Sequence, residues 1–281
     1  MSVRLIAVDW SGALVRAERK IWLAEATPEG QLVRLESGRD RAALTQHLID
    51  ESRGDAPIVA GLDFGFALPE WYMRELGCAT APELWSRLAA GDAERWLRGC
   101  EPPFWGRPGR GKPALGPHFR RTEDDVAFAR GVRPKSVFQI GGAGAVGTGS
   151  LRGMCALHRL RSAGWTIWPF EPAGRMVAIE IYPRLFTGPV VKSDAAQRAR
   201  FLAHPPATLG PRLVHSLGTL PATMRDRAAA SEDAFDAAVS ALAMAEHAAA
   251  LTTLPRVRNP QLRLEGAIWH PAWREASLAQ K

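Results

Sequence analysis

The chain has 281 residues, of which 46% are hydrophobic and 23% charged, and a net charge of +7. That is enough apolar material for one elaborated domain or two small ones, and it is not the composition of a disordered chain. Three widely spaced cysteines, Cys78, Cys100 and Cys155, argue against a disulfide framework and a cysteine-held zinc, and fit a reducing compartment.

The apolar run Leu5–Val8 is too short for a signal peptide, and no segment approaches the roughly 18 apolar residues of a membrane helix. A soluble cytoplasmic protein without a membrane partner is the expectation. The positive charge points to polyanions such as nucleic acid, nucleotides or phosphorylated metabolites, and equally to an Arg-rich surface that is simply solvated.

Residues 2–10, SVRLIAVDW, are a short aliphatic run ending in an acid, after which Ser11-Gly12 turns the chain. KIWLAEA (20–26) and QLVRLES (31–37) follow, joined through Thr27-Pro28-Glu29-Gly30, and predict a three-stranded antiparallel meander. RDRAALTQHLIDES (39–52) carries Leu44 and Leu48 at helical spacing, and PIVAGLDF (57–64) reads as a strand covered on both faces. Strand–strand–strand–helix–strand opens an RNase H-like α/β mixed sheet with helices on both faces, not the β-α-β of a dinucleotide fold.

Residues 67–135 read as a large insertion with helices near 70–76 and 81–98. Within it, GCEPPFWGRPGRGKPALGPHFRR (99–121) combines Arg107, Arg110, Lys112, Arg120 and Arg121 with Phe104, Trp105 and Phe119. Charge beside stacking surface suits single-stranded nucleic acid, and it equally suits a rigid, solvated loop. No repeat or linker divides the chain, so a single domain over 1–281 is expected.

VFQIGGAGAVGTGS (137–150) places Gly142, Gly144 and Gly147 in the spacing of a dinucleotide fingerprint after a β-looking run at 137–140. A helix is expected over 151–164, strands over 165–170 and 176–183, and a last long helix over 231–251. Three points oppose the cofactor reading. The helix starts only after Thr148-Gly149-Ser150, Glu171 is joined to the next strand by PAGR alone, and the unit stands alone in mid-chain. A four-residue link predicts a hairpin, since parallel crossovers take about a dozen residues. The stretch reads instead as a loop at a helix N-terminus, with Gly142, Gly144, Gly147 and Ser150 placed to receive a substrate phosphate.

Four carboxylates occupy positions where packing would favour carbon. Asp9 ends the first strand, Asp63 ends the central one, Glu180 interrupts VAIEIYP, and Asp236 lies inside an Ala-rich helix. Asp233 sits three residues before Asp236, on the same helix surface. Ser231 as N-cap, with Glu232 and Asp233 in the first turn, accounts for Asp233 but not for Asp236. Buried carboxylates need a cation, and a cluster without cysteine or histidine suits Mg²⁺ or Mn²⁺, two of which would serve phosphodiester hydrolysis.

VDWSGA (8–13), GLDFGFALP (61–69), IEIYP (179–183), DAFDAAVSALAMA (233–245) and EGAIWHP (265–271) resemble the family called domain of unknown function 429, described as predicted nucleases of RNase H fold. The resemblance covers nearly the whole chain. EDAFDAA also resembles the final helix of RuvC-type resolvases, which implies metal-ligand roles for Asp233 and Asp236. Asp63 departs from the resolvases, which have Glu at the second strand position.

The resulting expectation is a Mg²⁺- or Mn²⁺-dependent nuclease. Asp9, Asp63 and Asp236 would be the principal acids, with Glu180 and Asp233 of second rank, and Ser11, Arg110, Lys112 and Lys135 would serve substrate phosphates. The alternatives are a phosphotransferase of the actin/sugar-kinase type, with VDWSGA and the Gly-rich stretch as phosphate loops, and a non-catalytic nucleotide- or nucleic-acid-binding protein.

Overall fold

The computed structural model describes residues 2–271 and Trp273. They form an α/β fold around a six-stranded mixed sheet. Its strands are β1 (Arg4–Asp9), β2 (Trp22–Ala26), β3 (Leu32–Glu36), β4 (Ile58–Leu62), β5 (Thr166–Ile167) and β6 (Met176–Glu180), in the order β3-β2-β1-β4-β6-β5. The meander is present, with β2 antiparallel to both β1 and β3. β4 lies parallel to β1, and β6 parallel to β4, with Val8 beside Leu62 and Leu62 beside Glu180. The carboxyl ends of β1, β4 and β6 therefore open together at one edge, where α/β sheets place their ligands.

Both faces of the sheet are buried. Ile6, Val8, Ala60 and Leu62 meet Leu44 and Leu48 of the Arg41–Glu51 helix and Leu151, Met154 and Leu157 of the Gly147–Ser162 helix. Leu5, Ala7, Val59 and Ile179 meet Phe235, Val239 and Leu242 of the Glu232–Glu246 helix. This two-sided cover explains why the central strand shows no alternation. A Cβ on Gly61 would stand 2.8 Å from both Ile181 Cγ2 and Met244 Sδ. Glycine there lets the last long helix lie close to the central strand.

The insertion contains helices Glu70–Glu75, Ala81–Arg87, Ala93–Gly99 and Arg121–Arg130. The expected 81–98 helix is interrupted by a wide turn at Leu88–Asp92. Residues 184–229, which carried no sequence-level expectation, supply four helices from Arg184–Thr187 to Ala222–Ala229 that cover the second face. No helix among the described residues is long and apolar enough to cross a membrane.

Several expectations are corrected. The glycine-led helix begins at Gly147, not 151; the Gly147 N–H donates to the Gln139 carbonyl at 2.9 Å, and a Cβ there would lie 2.2 Å from the Val137 carbonyl oxygen, so the position admits only glycine. The run 137–140 is not a strand; its one ladder contact is an isolated bridge between Trp105 and Gln139. The helix-start objection to a dinucleotide fingerprint therefore fails, while the missing strand removes the fingerprint's context.

The expected 165–170 strand shrinks to Thr166–Ile167, and it runs parallel to β6 instead of forming a hairpin with it. Two residues of strand leave little distance to recross. Trp168 adds one more backbone bond to β6, its N–H donating to the Ala178 carbonyl at 3.0 Å, while its indole N–H donates to the Pro255 carbonyl at 2.9 Å. The last helix ends at Glu246, with a separate turn at Ala248–Thr252.

Candidate functional site

Asp9 and Asp63 stand side by side because β1 and β4 are parallel neighbours. The Asp63 N–H donates to the Val8 carbonyl at 3.0 Å, extending the ladder by one residue past β4. The Glu232–Glu246 helix, capped by Ser231 Oγ accepting from the Ala234 N–H at 3.0 Å, packs across β1 and β2. It brings Asp236 to the same edge, buried, with Asp233 half-buried one turn earlier. Lys192, from the loop preceding the Ala195–Ala203 helix, donates its Nζ to Asp236 Oδ2, while Asp236 Oδ1 is buried without a partner.

The electrostatics follow from burial and crowding. Burial, followed by Asp236, Asp63 and Asp233, pushes the Asp9 carboxyl well above the usual carboxylate range. Burial and then Asp236 push Asp63 up to about 8. Burial raises Asp236 to about 6, with the Lys192 ammonium pulling the other way. Burial, followed by Glu232, raises Asp233. On Lys192, burial is outweighed by Asp236, Asp63 and Asp9, which hold its ammonium above the ordinary lysine range. Carboxyl groups in such surroundings favour any added cation.

Glu180 does not join this set. Its two oxygens accept from Arg120 Nη1 and Nη2 at 2.8 and 2.5 Å, and Oε2 also accepts the Phe66 N–H at 3.0 Å. Arg120 further bonds Glu123 through Nε at 2.9 Å and the Glu265 carbonyl at 3.1 Å. With Arg120 and Glu123 each 1% exposed and Glu180 3% exposed, this is a closed buried network. Its Arg saturates the acid that the sequence offered as a second-rank catalytic group.

Beside the acids lies a groove of about 480 Å³ lined by Trp10, Ser11, Lys20, Asp63, Lys135 and Tyr182, among others. The Gly-rich stretch contributes to it, though not through the expected residues. Ala145, Val146, Thr148 and Gly149 line the groove. Gly142 and Gly144 are exposed away from it, and Gly147 is buried. Ser150 is also buried, its Oγ accepting the Gly65 N–H and donating to the Val146 carbonyl, both at 3.0 Å. Gly147 and Ser150 are thus structural and unavailable to a phosphate.

Of the basic candidates, Lys135 lines the groove. Arg110 forms an exposed pair with Glu101 at 2.9 Å, and Lys112 Nζ stands 5.7 Å from the Trp105 and Phe119 ring centres. Neither Arg110 nor Lys112 reaches the groove.

Among the described residues, no group of three or more His, Cys, Asp or Glu side chains is arranged to hold a metal ion. The donor chemistry nevertheless fits a hard cation. The cluster is all carboxylate, and Asp236 Oδ1 is a buried acceptor left unpaired. Lys192 and Lys20 are the functional-site residues that sequence reasoning missed. Lys192 sits in GPVVKSD, where nothing in spacing or composition marks it. Comparison with protein-family models, curated proteins and solved structures yields no match for this chain.

Proposed function

We propose that this protein is a Mg²⁺- or Mn²⁺-dependent phosphodiesterase acting on nucleic acid, with an RNase H-like core and kinship to the family called domain of unknown function 429. The observation that carries the reading is the meeting of Asp9, Asp63 and Asp236 at one sheet edge, with a buried, unpaired oxygen on Asp236. Asp9, Asp63 and Asp236 would hold the ion, with Asp233 at the margin, and Glu180 is excluded by its bond to Arg120. A divalent cation held there would supply Lewis acidity and a nucleophilic water for phosphodiester hydrolysis.

The remaining roles belong to the groove. Lys20 and Lys135 carry the positive charge that attracts phosphate oxygens, and Trp10, Phe64 and Tyr182 supply aromatic wall for a base or sugar. The Phe119 platform, with Arg133 4.8 Å from its ring centre and Lys112 beside it, would take more distant backbone.

The test is cleavage of single-stranded, duplex and branched substrates by wild type, Asp9→Asn and Asp236→Asn, with and without Mn²⁺. The proposal expects Mn²⁺-dependent cleavage by wild type and its loss in both variants. Equal activity in all three proteins would sink it.

A second reading, a phosphotransferase of the actin/sugar-kinase type, is favoured by one observation. A Cβ on Gly12 would stand 2.5 Å from the Gly149 nitrogen, so VDWSGA and the Gly-rich turn are in backbone contact, as paired phosphate loops would be. Tight ATP binding without Mn²⁺ uptake at the acids would favour it over hydrolysis of nucleic acid.

A further inference from the structure

Lys192 combines a fixed backbone with a side chain aimed at the acids. Its carbonyl accepts from Arg198, Arg184 Nη1 holds the Val190 carbonyl at 2.6 Å, and the Asp194 N–H donates to the Val191 carbonyl at 3.0 Å. From this anchored loop the ammonium contacts Asp236 Oδ2, and its charge also acts on Asp9 and Asp63. Lys20, a second cation facing this region, acts on Asp233. The Lys192 side chain is 23% exposed, so its flexible stem has a path back to water. One oxygen of Asp236 is thus taken by the ammonium, and the other is buried with no partner.

We propose that Lys192 is the cluster's built-in counter-cation, neutralising Asp236 and its neighbours when no divalent ion is bound and competing with one for the same carboxylates. The inference rests on the metal-site reading of Asp9, Asp63 and Asp236. A divalent ion on Asp236 Oδ1 would lie about 2.0–2.6 Å from that oxygen. Ion and ammonium would then share one carboxylate, where like charges repel strongly even at the effective dielectric of a protein. Lysine suits this role better than arginine. Its compact ammonium sits on four rotatable carbons and is strongly hydrated once released, whereas a guanidinium fork would lock both oxygens. Lys192 therefore sets a threshold of divalent-ion concentration below which the site stays closed.

The experiment is calorimetric titration of metal-stripped protein with Mn²⁺ at neutral pH, alongside thermal denaturation in chelator and in Mn²⁺. It compares wild type with Lys192→Met, Lys192→Gln and Lys192→Arg. Removing the charge is expected to tighten Mn²⁺ binding about tenfold or more, equivalent to about 1.4 kcal/mol. The same variants should melt below wild type in chelator, where the acids lose their counter-charge, and recover in Mn²⁺. Lys192→Gln keeps stem length and polarity, so the result stays readable if the Met variant does not fold, and Lys192→Arg should not bind more tightly than wild type. Neutral variants that bind Mn²⁺ no more tightly than wild type would overturn the proposal while leaving the metal site intact. Absence of Mn²⁺ uptake by every protein, wild type included, would overturn the metal reading and this inference together.

Discussion

Arg120→Met removes the guanidinium from the buried network around Glu180 and asks whether that network is structural. Methionine retains most of the aliphatic stem but none of the donors to Glu180, Glu123 and the Glu265 carbonyl. Two carboxylates are then left buried without their shared cation, and breaking a buried ion pair from one side typically costs about 3–5 kcal/mol. Two surviving bonds moderate the loss. The Phe66 N–H still donates to Glu180 at 3.0 Å, and the backbone N–H of residue 120 still donates to Glu123 at 2.5 Å. The expected loss is about 4 kcal/mol at pH 7.5, a large part of a typical domain's stability.

The pH dependence has a definite sign. Burial already pushes Glu123 up to about 7 with Arg120 present, and removing Arg120 raises it further, because the guanidinium is what holds it down. Groups whose folded-state pKa exceeds the unfolded value are destabilising above the unfolded pKa. The penalty should therefore shrink as pH falls toward the ordinary Glu value of 4.5. Urea denaturation followed by circular dichroism at pH 7.5 and pH 5 measures it. A loss below about 1 kcal/mol at pH 7.5, or an equal loss at both pH values, would refute the reasoning.

Two further perturbations probe the site and its support. Asp63, at about 8 in the folded protein against an ordinary 3.8, keeps its proton after the unfolded chain has released it. Metal-free stability should therefore fall as pH rises through that window. Asp63→Asn removes this contribution, so in chelator its melting temperature should exceed wild type at pH 8 by a margin that narrows at pH 5; a constant margin would contradict it. Gly61→Val forces a side chain into the space of Ile181 and Met244 and should cost about 1–3 kcal/mol in denaturant unfolding. Unchanged stability would mean that the last helix does not lie as close to β4 as described.

The meander, the Arg41–Glu51 helix, the central strand and the last long helix were legible because their signals are local. They are a Pro-Gly turn between aliphatic runs, Leu44 and Leu48 one turn apart, an unbroken apolar run, and a Ser231 cap. The odd placement of Asp9, Asp63 and Asp236 was legible for the same reason, since each breaks the pattern of its own element. The Gly147 helix start was not, because small residues in a loop carry no sign of what packs on them, here the Gln139 carbonyl that accepts the Gly147 N–H and the Val137 carbonyl that leaves no room for a Cβ.

Partnership is what the chain order left open. Asp9, Asp63, Glu180 and Asp236 look alike as strand or helix acids, and local sequence cannot say which of them meets a cation. Folding brings Arg120, 60 residues before Glu180, onto that acid, and Lys192, 44 residues before Asp236, onto the other. One acid becomes part of a saturated buried network, while the other keeps a free oxygen in the cluster. The sequence by itself determined which residues could be acids at a sheet edge, because periodicity and burial cost act within each element. Only the tertiary structure decided their partners, because a charge takes its meaning from the groups packed against it, and those come from remote parts of the chain.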